Sequence, residues 1–114
     1  MSASHGLSTH VLDTATGLPA SSMQVRCERM DGAQWKEAGG GTTDADGRIK
    51  SVLAAPLACG TYRLTFATGA WHAVRGMKGF FPSVSIEFEV TDASRHHHVP
   101  LLLSPFGYST YRGS

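Results

Sequence analysis

The clearest regularity in the chain lies between Val84 and Val90, where Val84, Ile86, Phe88 and Val90 alternate with Ser85, Glu87 and Glu89. A period of two puts successive side chains on opposite faces of a strand, so this segment has one buried face and one wet face. Met23, Val25 and Cys27 alternate with Gln24, Arg26 and Glu28 in the same way. Leu7 to Leu12, Arg48 to Val52, Tyr62 to Phe66, His98 to Leu103 and Tyr108 to Tyr111 read as further strands, each bounded by turn residues. Another begins at Gln34 to Glu37 and is interrupted by Gly39-Gly40-Gly41, which reads as a flexible surface loop. Thr16-Gly17-Leu18-Pro19 closes the first strand with a turn, Asp44-Ala45-Asp46-Gly47 is a strong turn signal before Arg48, and Pro105 and Gly107 divide the last two strands. The one helix candidate, Trp71 to Met77 between Gly69 and Gly79, is too short to stand alone and must be held by packing. About eight short strands and one short helix predict an all-β fold, a two-sheet antiparallel sandwich.

Composition narrows the class without naming a reaction. The chain has 114 residues, 41% of them hydrophobic, which suits one domain with a single core over 1–114. Ten basic and nine acidic residues leave a net charge of +1, so there is no electrostatic footprint for nucleic acid and no polybasic run for an anionic membrane. The longest apolar stretches, such as Val99 to Leu103, are far too short to span a bilayer. Met1 to Gly6 has neither a charged leader nor an apolar segment; it is expected to be a flexible N-terminus without a secretory signal. The closing Arg112-Gly113-Ser114 is not a peroxisomal address, which leaves a cytoplasmic location as the expectation. Cys27 and Cys59 lack metal or redox spacing and are expected to be reduced and partly buried.

The candidate chemistry is histidine-rich. No G-x-S-x-G elbow, phosphate loop or dinucleotide fingerprint is present, but six histidines are. Along a strand, His96 and His98 face one side and His97 the other. His10, His96 and His98 are residue types that suit zinc, yet no Asp, Glu or Cys stands at ligand spacing beside them, and no metal is expected. Taken singly, His10 between Ser8 and Leu12 is a structural or solvent-facing strand histidine, and Arg48 beside a turn is a solvated charge. The final Tyr-Arg-Gly-Ser would ordinarily be a frayed tail. Spacing alone therefore stops at a β-sandwich with a histidine-rich surface.

Three segments together carry a resemblance. Leu7-Ser8-Thr9-His10-Val11-Leu12-Asp13 with Thr16-Gly17-Leu18-Pro19-Ala20 resembles the opening of the transthyretin-related proteins, and Thr43-Asp44-Ala45-Asp46-Gly47-Arg48 resembles their second signature. His98-Val99-Pro100-Leu101-Leu102-Leu103-Ser104-Pro105, running on to Tyr111-Arg112-Gly113-Ser114, resembles their C-terminal signature, and Phe80-Phe81-Pro82 fits as well. The terminal tetrapeptide resembles the hydrolase branch, since the hormone-carrying branch lacks it. The resemblance implies a transthyretin-like sandwich whose catalytic residues are His10, Arg48 and His98, with Tyr111, Arg112, Gly113 and Ser114 binding substrate. It implies a homotetramer, a dimer of dimers, with the site in a channel between the dimers and the last strand paired with its copy. The implied small-molecule substrate is 5-hydroxyisourate, whose six-membered ring is opened in urate degradation without cofactor or metal, either histidine serving as base. His97 stands where an aromatic residue is more frequent in the family. The alternative is a transthyretin-like carrier of a small ligand without catalysis, against which the polar site residues argue, because a carrier of apolar ligands favours aliphatic walls.

Overall fold

A computed structural model describes residues 5–113; Met1 to Ser4 and Ser114 lie outside the described residues, and with them most of the expected flexible N-terminus and the last residue of the expected substrate-binding tail. The element order is β1 (Leu7–Asp13), β2 (Leu18–Pro19), β3 (Gln24–Asp31), β4 (Gln34–Thr42), β5 (Arg48–Ile49), β6 (Gly60–Phe66), α1 (Thr68–Val74), β7 (Val84–Val90), β8 (His97–Ser104) and β9 (Gly107–Thr110). They form two sheets. One runs β2-β1-β8-β9, with β5 also paired to β1, and the other runs β4-β3-β6-β7. The expected two-sheet sandwich with one short helix is what the chain forms.

The period-two pattern explains how the layers meet. On β1, Leu7, Thr9, Val11 and Asp13 point inwards, while Ser8, His10 and Leu12 are half-buried on the outer face. On β8, His97, Val99, Leu101 and Leu103 face in. The opposite sheet answers with Val25, Cys27, Leu64, Phe66 and Val84, giving one continuous apolar core. Thr9 is tolerated in it because its hydroxyl donates to the Val99 carbonyl at 2.6 Å.

Six details differ from expectation. The glycine triplet is strand, not loop: β4 runs through it, pairing Gly39 with Cys27 and Gly41 with Val25, with a bulge at Cys27/Glu28. Side chains at Gly39 and Gly40 would collide with the Val52 and Val25 carbonyls, so these glycines permit close backbone approach rather than mobility. The helix spans Thr68–Val74 instead of Trp71 to Met77, because the chain turns at Gly76 in the left-handed region (φ 70°). The strand after the Asp-Ala-Asp-Gly turn keeps only Arg48–Ile49, and Leu18–Pro19, expected as turn, makes two more ladder positions against β1. The sandwich is not wholly antiparallel either, since β1 and β8 pair in parallel from Leu7↔His97 to Asp13↔Leu103. Both cysteines are free as expected, but Cys59 is exposed in the loop before β6, and only Cys27 is buried.

Candidate active site

The parallel β1–β8 pair assembles the site. Residues directly opposed across a ladder share a face, and the register sets Ser8 opposite His98 and His10 opposite Pro100. On the other edge of β1, β5 sets Arg48 opposite His10. Three short strands thus bring Arg48, His10, Ser8 and His98 together on the outer face of one sheet, although Ser8 and His98 are 90 residues apart in the chain.

Each position has a local cause. The turn before Arg48 is fixed by Asp44, whose Oδ1 accepts the amides of Asp46 and Arg48 at 2.9 Å each. Gly47 closes it in the left-handed region (φ 75°), where an added Cβ would lie 2.5 Å from the Val11 carbonyl oxygen. The Arg48 amide is the main reason that the Asp44 carboxyl is held below its ordinary value. Among the described residues no carboxylate pairs with the Arg48 guanidinium.

A pocket of about 380 Å³ opens here, lined by Ser8, Arg48, Lys50, His96 and His98 among others. His10 stands beside it, partnered across the ladder with Arg48, and does not itself line the cavity. Ser8 Oγ lies 2.8 Å from His98 Nδ1 and 2.8 Å from His96 Nε2, tying the two imidazoles together. Burial, followed by the neighbouring Arg48, His10 and His96, holds His98 below the ordinary imidazole range, and a hydrogen bond with the Ser8 backbone only partly offsets this. His98 is therefore neutral near pH 7 and able to accept a proton.

The C-terminal segment folds back over His98. The Gly113 amide donates to the His98 carbonyl at 2.7 Å. A Cβ at residue 113 would lie 2.5 Å from His98 Cδ2, so only glycine fits against the ring there. Thr110 holds the approach by donating its hydroxyl to the Pro100 carbonyl at 2.7 Å. Tyr111 and Arg112 are exposed and border a separate groove of about 230 Å³ with Phe88, Glu89, His97 and Val99. Of the sequence-predicted residues, then, the chain brings together His10, Arg48, His98 and Gly113, and places Tyr111 and Arg112 elsewhere on its surface.

His97 is 5% exposed and points to the opposite face from His98, donating from Nδ1 to the Arg95 carbonyl at 2.9 Å. Two residues were not singled out from sequence. Ser8 carried one weak signal, its i−2 spacing from His10 on the same strand face. Lys50, two residues beyond Arg48, carried none. Among the described residues no group of three or more His, Cys, Asp or Glu side chains is placed to hold a metal ion.

The fold agrees with what the chain is similar to. The HIUase/Transthyretin family model matches residues 7–113. The 5-hydroxyisourate hydrolase of Caulobacter vibrioides is 48% identical over 113 residues, covering 96% of this chain and 98% of its own. The solved Klebsiella pneumoniae 5-hydroxyisourate hydrolase superposes with a TM-score of 0.84 at 44% identity, covering 95% of this chain and 98% of that one. Sea bream transthyretin, solved in complex with thyroxine, superposes with a TM-score of 0.88 at 30% identity, covering 95% and 94%. With a family model spanning almost the whole chain and a relative close to half identical along its full length, the chain belongs to the HIUase/Transthyretin family.

Proposed function

We propose that this chain is a 5-hydroxyisourate hydrolase, opening the six-membered ring to give 2-oxo-4-hydroxy-4-carboxy-5-ureidoimidazoline in urate degradation, through His10, Arg48 and His98 and with no metal ion taking part. One observation carries the reading: an arginine that pairs with no carboxylate among the described residues and a neutral, half-buried histidine share one pocket on the outer face of the β2-β1-β8-β9 sheet.

The chemistry follows from the residue types. His98 takes a proton from water, and the resulting hydroxide oxygen bonds to the ring carbonyl carbon. Arg48 presents a planar fork of donors to the negative charge that develops on the carbonyl oxygen. The carbon–nitrogen ring bond then breaks, and the departing nitrogen receives a proton. His10, opposite Arg48, orients the substrate from the neighbouring ladder position. Gly113 lets the tail pack against the His98 ring, and Tyr111 and Arg112 complete the walls once subunits assemble.

Assembly belongs to the reading. Leu12 and Leu102 face each other on the same outer face, and Leu18 and Phe106 at its margin are 62% and 77% exposed. Such apolar surface around a shallow polar pocket suits a homotetramer, a dimer of dimers, in which a second copy roofs the site. The likeness to a thyroxine-bound transthyretin favours a carrier as the second reading, but a pocket walled by Arg48, Lys50 and two histidines suits a polar, anion-prone ring better than an apolar hormone. The test is turnover by His98→Ala and Arg48→Ala. Both are expected to lose at least a hundredfold in kcat/KM, roughly the worth of a general base or an oxyanion donor. Near-native turnover in both would overturn the site.

A further inference from the structure

We infer that Ser8 and His96 are positioning residues that set which nitrogen of His98 carries its proton and that carry a proton away from it, an inference that rests on the hydrolase reading above. The observation is the chain His96 Nε2–Ser8 Oγ–His98 Nδ1, both links 2.8 Å long. A serine hydroxyl has one proton, so it donates to one ring and accepts from the other. When Ser8 donates to His98 Nδ1, the His98 proton sits on Nε2, and that nitrogen cannot act as a base. When Ser8 donates to His96 Nε2, His98 Nδ1–H donates to Ser8, and the Nε2 of this pocket-lining histidine is left unprotonated. His96 as acceptor therefore selects the form of His98 that can take a proton from water.

The same chain moves a proton. As His98 Nε2 takes the proton from water, its Nδ1 proton passes to Ser8 Oγ, and the Ser8 proton passes to His96 Nε2. His98 ends neutral with the proton on Nε2, Ser8 is again a hydroxyl, and His96 is an imidazolium; no charge is gained or lost. When His98 Nε2–H protonates the departing ring nitrogen, His96 returns its proton to Ser8 Oγ and Ser8 returns one to His98 Nδ1, so the relay runs back to its resting form and turns the base of the first step into the acid of the second.

The fold provides an exit. His96 lies just before β8 and borders both the substrate pocket and a second groove of about 360 Å³ with His5, Leu57, Ser94 and Arg95; among the described residues it alone lines both. His98 meets Arg48 from β5 and His10 from β1, with Lys50 across the pocket. His96 faces His5 before β1 and Arg95 on its own segment.

Two measurements test the inference on the whole protein. Long-range proton–nitrogen spectra of histidine-labelled protein read each ring nitrogen directly. The wild type is expected to show His98 with Nδ1 protonated and Nε2 bare. His96→Ala shifts it towards Nε2–H, whereas His96→Gln, which still offers Ser8 an acceptor, keeps the wild-type form. In turnover, His96→Ala and Ser8→Ala each lose roughly tenfold in kcat with KM little changed, and the double variant loses no more than either alone. Removing His96 also takes away one of the charges that lower His98, so the acid limb of kcat/KM moves to higher pH. An unchanged His98 tautomer with unchanged kcat and pH profile in His96→Ala and Ser8→Ala overturns the relay. Should the wild type fail to accelerate 5-hydroxyisourate decay, the hydrolase reading falls, and the spectra still decide whether Ser8 and His96 fix the His98 ring.

Discussion

At the scale of residues, the account rests on charge and donor geometry around His98. Its lowered pKa has a defined consequence. The active form is the neutral ring, so kcat/KM holds to a lower pH than an ordinary imidazole would allow and falls as pH drops through the His98 value. Stability follows the same sign. Between the ordinary imidazole value and the depressed one the unfolded chain binds more protons, so acidification through that window destabilises the fold, and His98→Gln removes this slope from stability-versus-pH curves. Arg48→Lys keeps the charge but loses the planar fork, and turnover is expected to fall roughly tenfold to a hundredfold, read in steady-state kinetics. Gly113→Ala places a methyl 2.5 Å from His98 Cδ2. It is expected to lower kcat about tenfold with little change in Tm, because the substitution lies at the end of the chain. Little of this was legible in spacing. His10, Arg48 and His98 are singly ordinary, and what joins them is ladder register between strands far apart in sequence. Ser8 is a common strand residue whose role appears only once two imidazoles flank it.

Among elements, period two was the dependable signal. It located β1, β3, β6, β7 and β8 because each has one face in the core, and alternating burial is what the sequence pattern records. It failed where backbone contacts decide. The glycine triplet has no side chains to alternate, yet β4 needs it because carbonyls of neighbouring segments occupy the space of a Cβ. Gly39→Ala is accordingly expected to cost about 1–3 kcal/mol, measured by denaturant unfolding, although no flexible loop is being stiffened. The parallel pairing of β1 with β8 was equally hidden, since alternation is the same for either direction. That pairing matters most for function: an antiparallel pair would not present Ser8 beside His96 and His98 in the same order.

For the whole molecule, the core is a shared one, and its centre is sensitive. Leu101 is fully buried on β8 between the sheets, so Leu101→Ala is expected to destabilise by about 2–5 kcal/mol in thermal or denaturant unfolding. The same strand carries His98 on its other face, so loosening the core should also loosen the site. The site lies on an outer sheet face bordered by exposed Leu18 and Phe106, and sedimentation is expected to show a tetramer. Family membership was legible from three segments because they hold the turn, strand and tail residues that this geometry needs. The placement of Tyr111 and Arg112 was not, since a tail's partners in an assembly leave no pattern in one chain. The most direct test follows the ultraviolet absorbance of 5-hydroxyisourate, generated in place from urate and urate oxidase, with and without the protein. Accelerated decay that His98→Ala abolishes is the predicted result. Decay no faster than in buffer, from a folded tetramer, would contradict the account and leave a ligand carrier in its place.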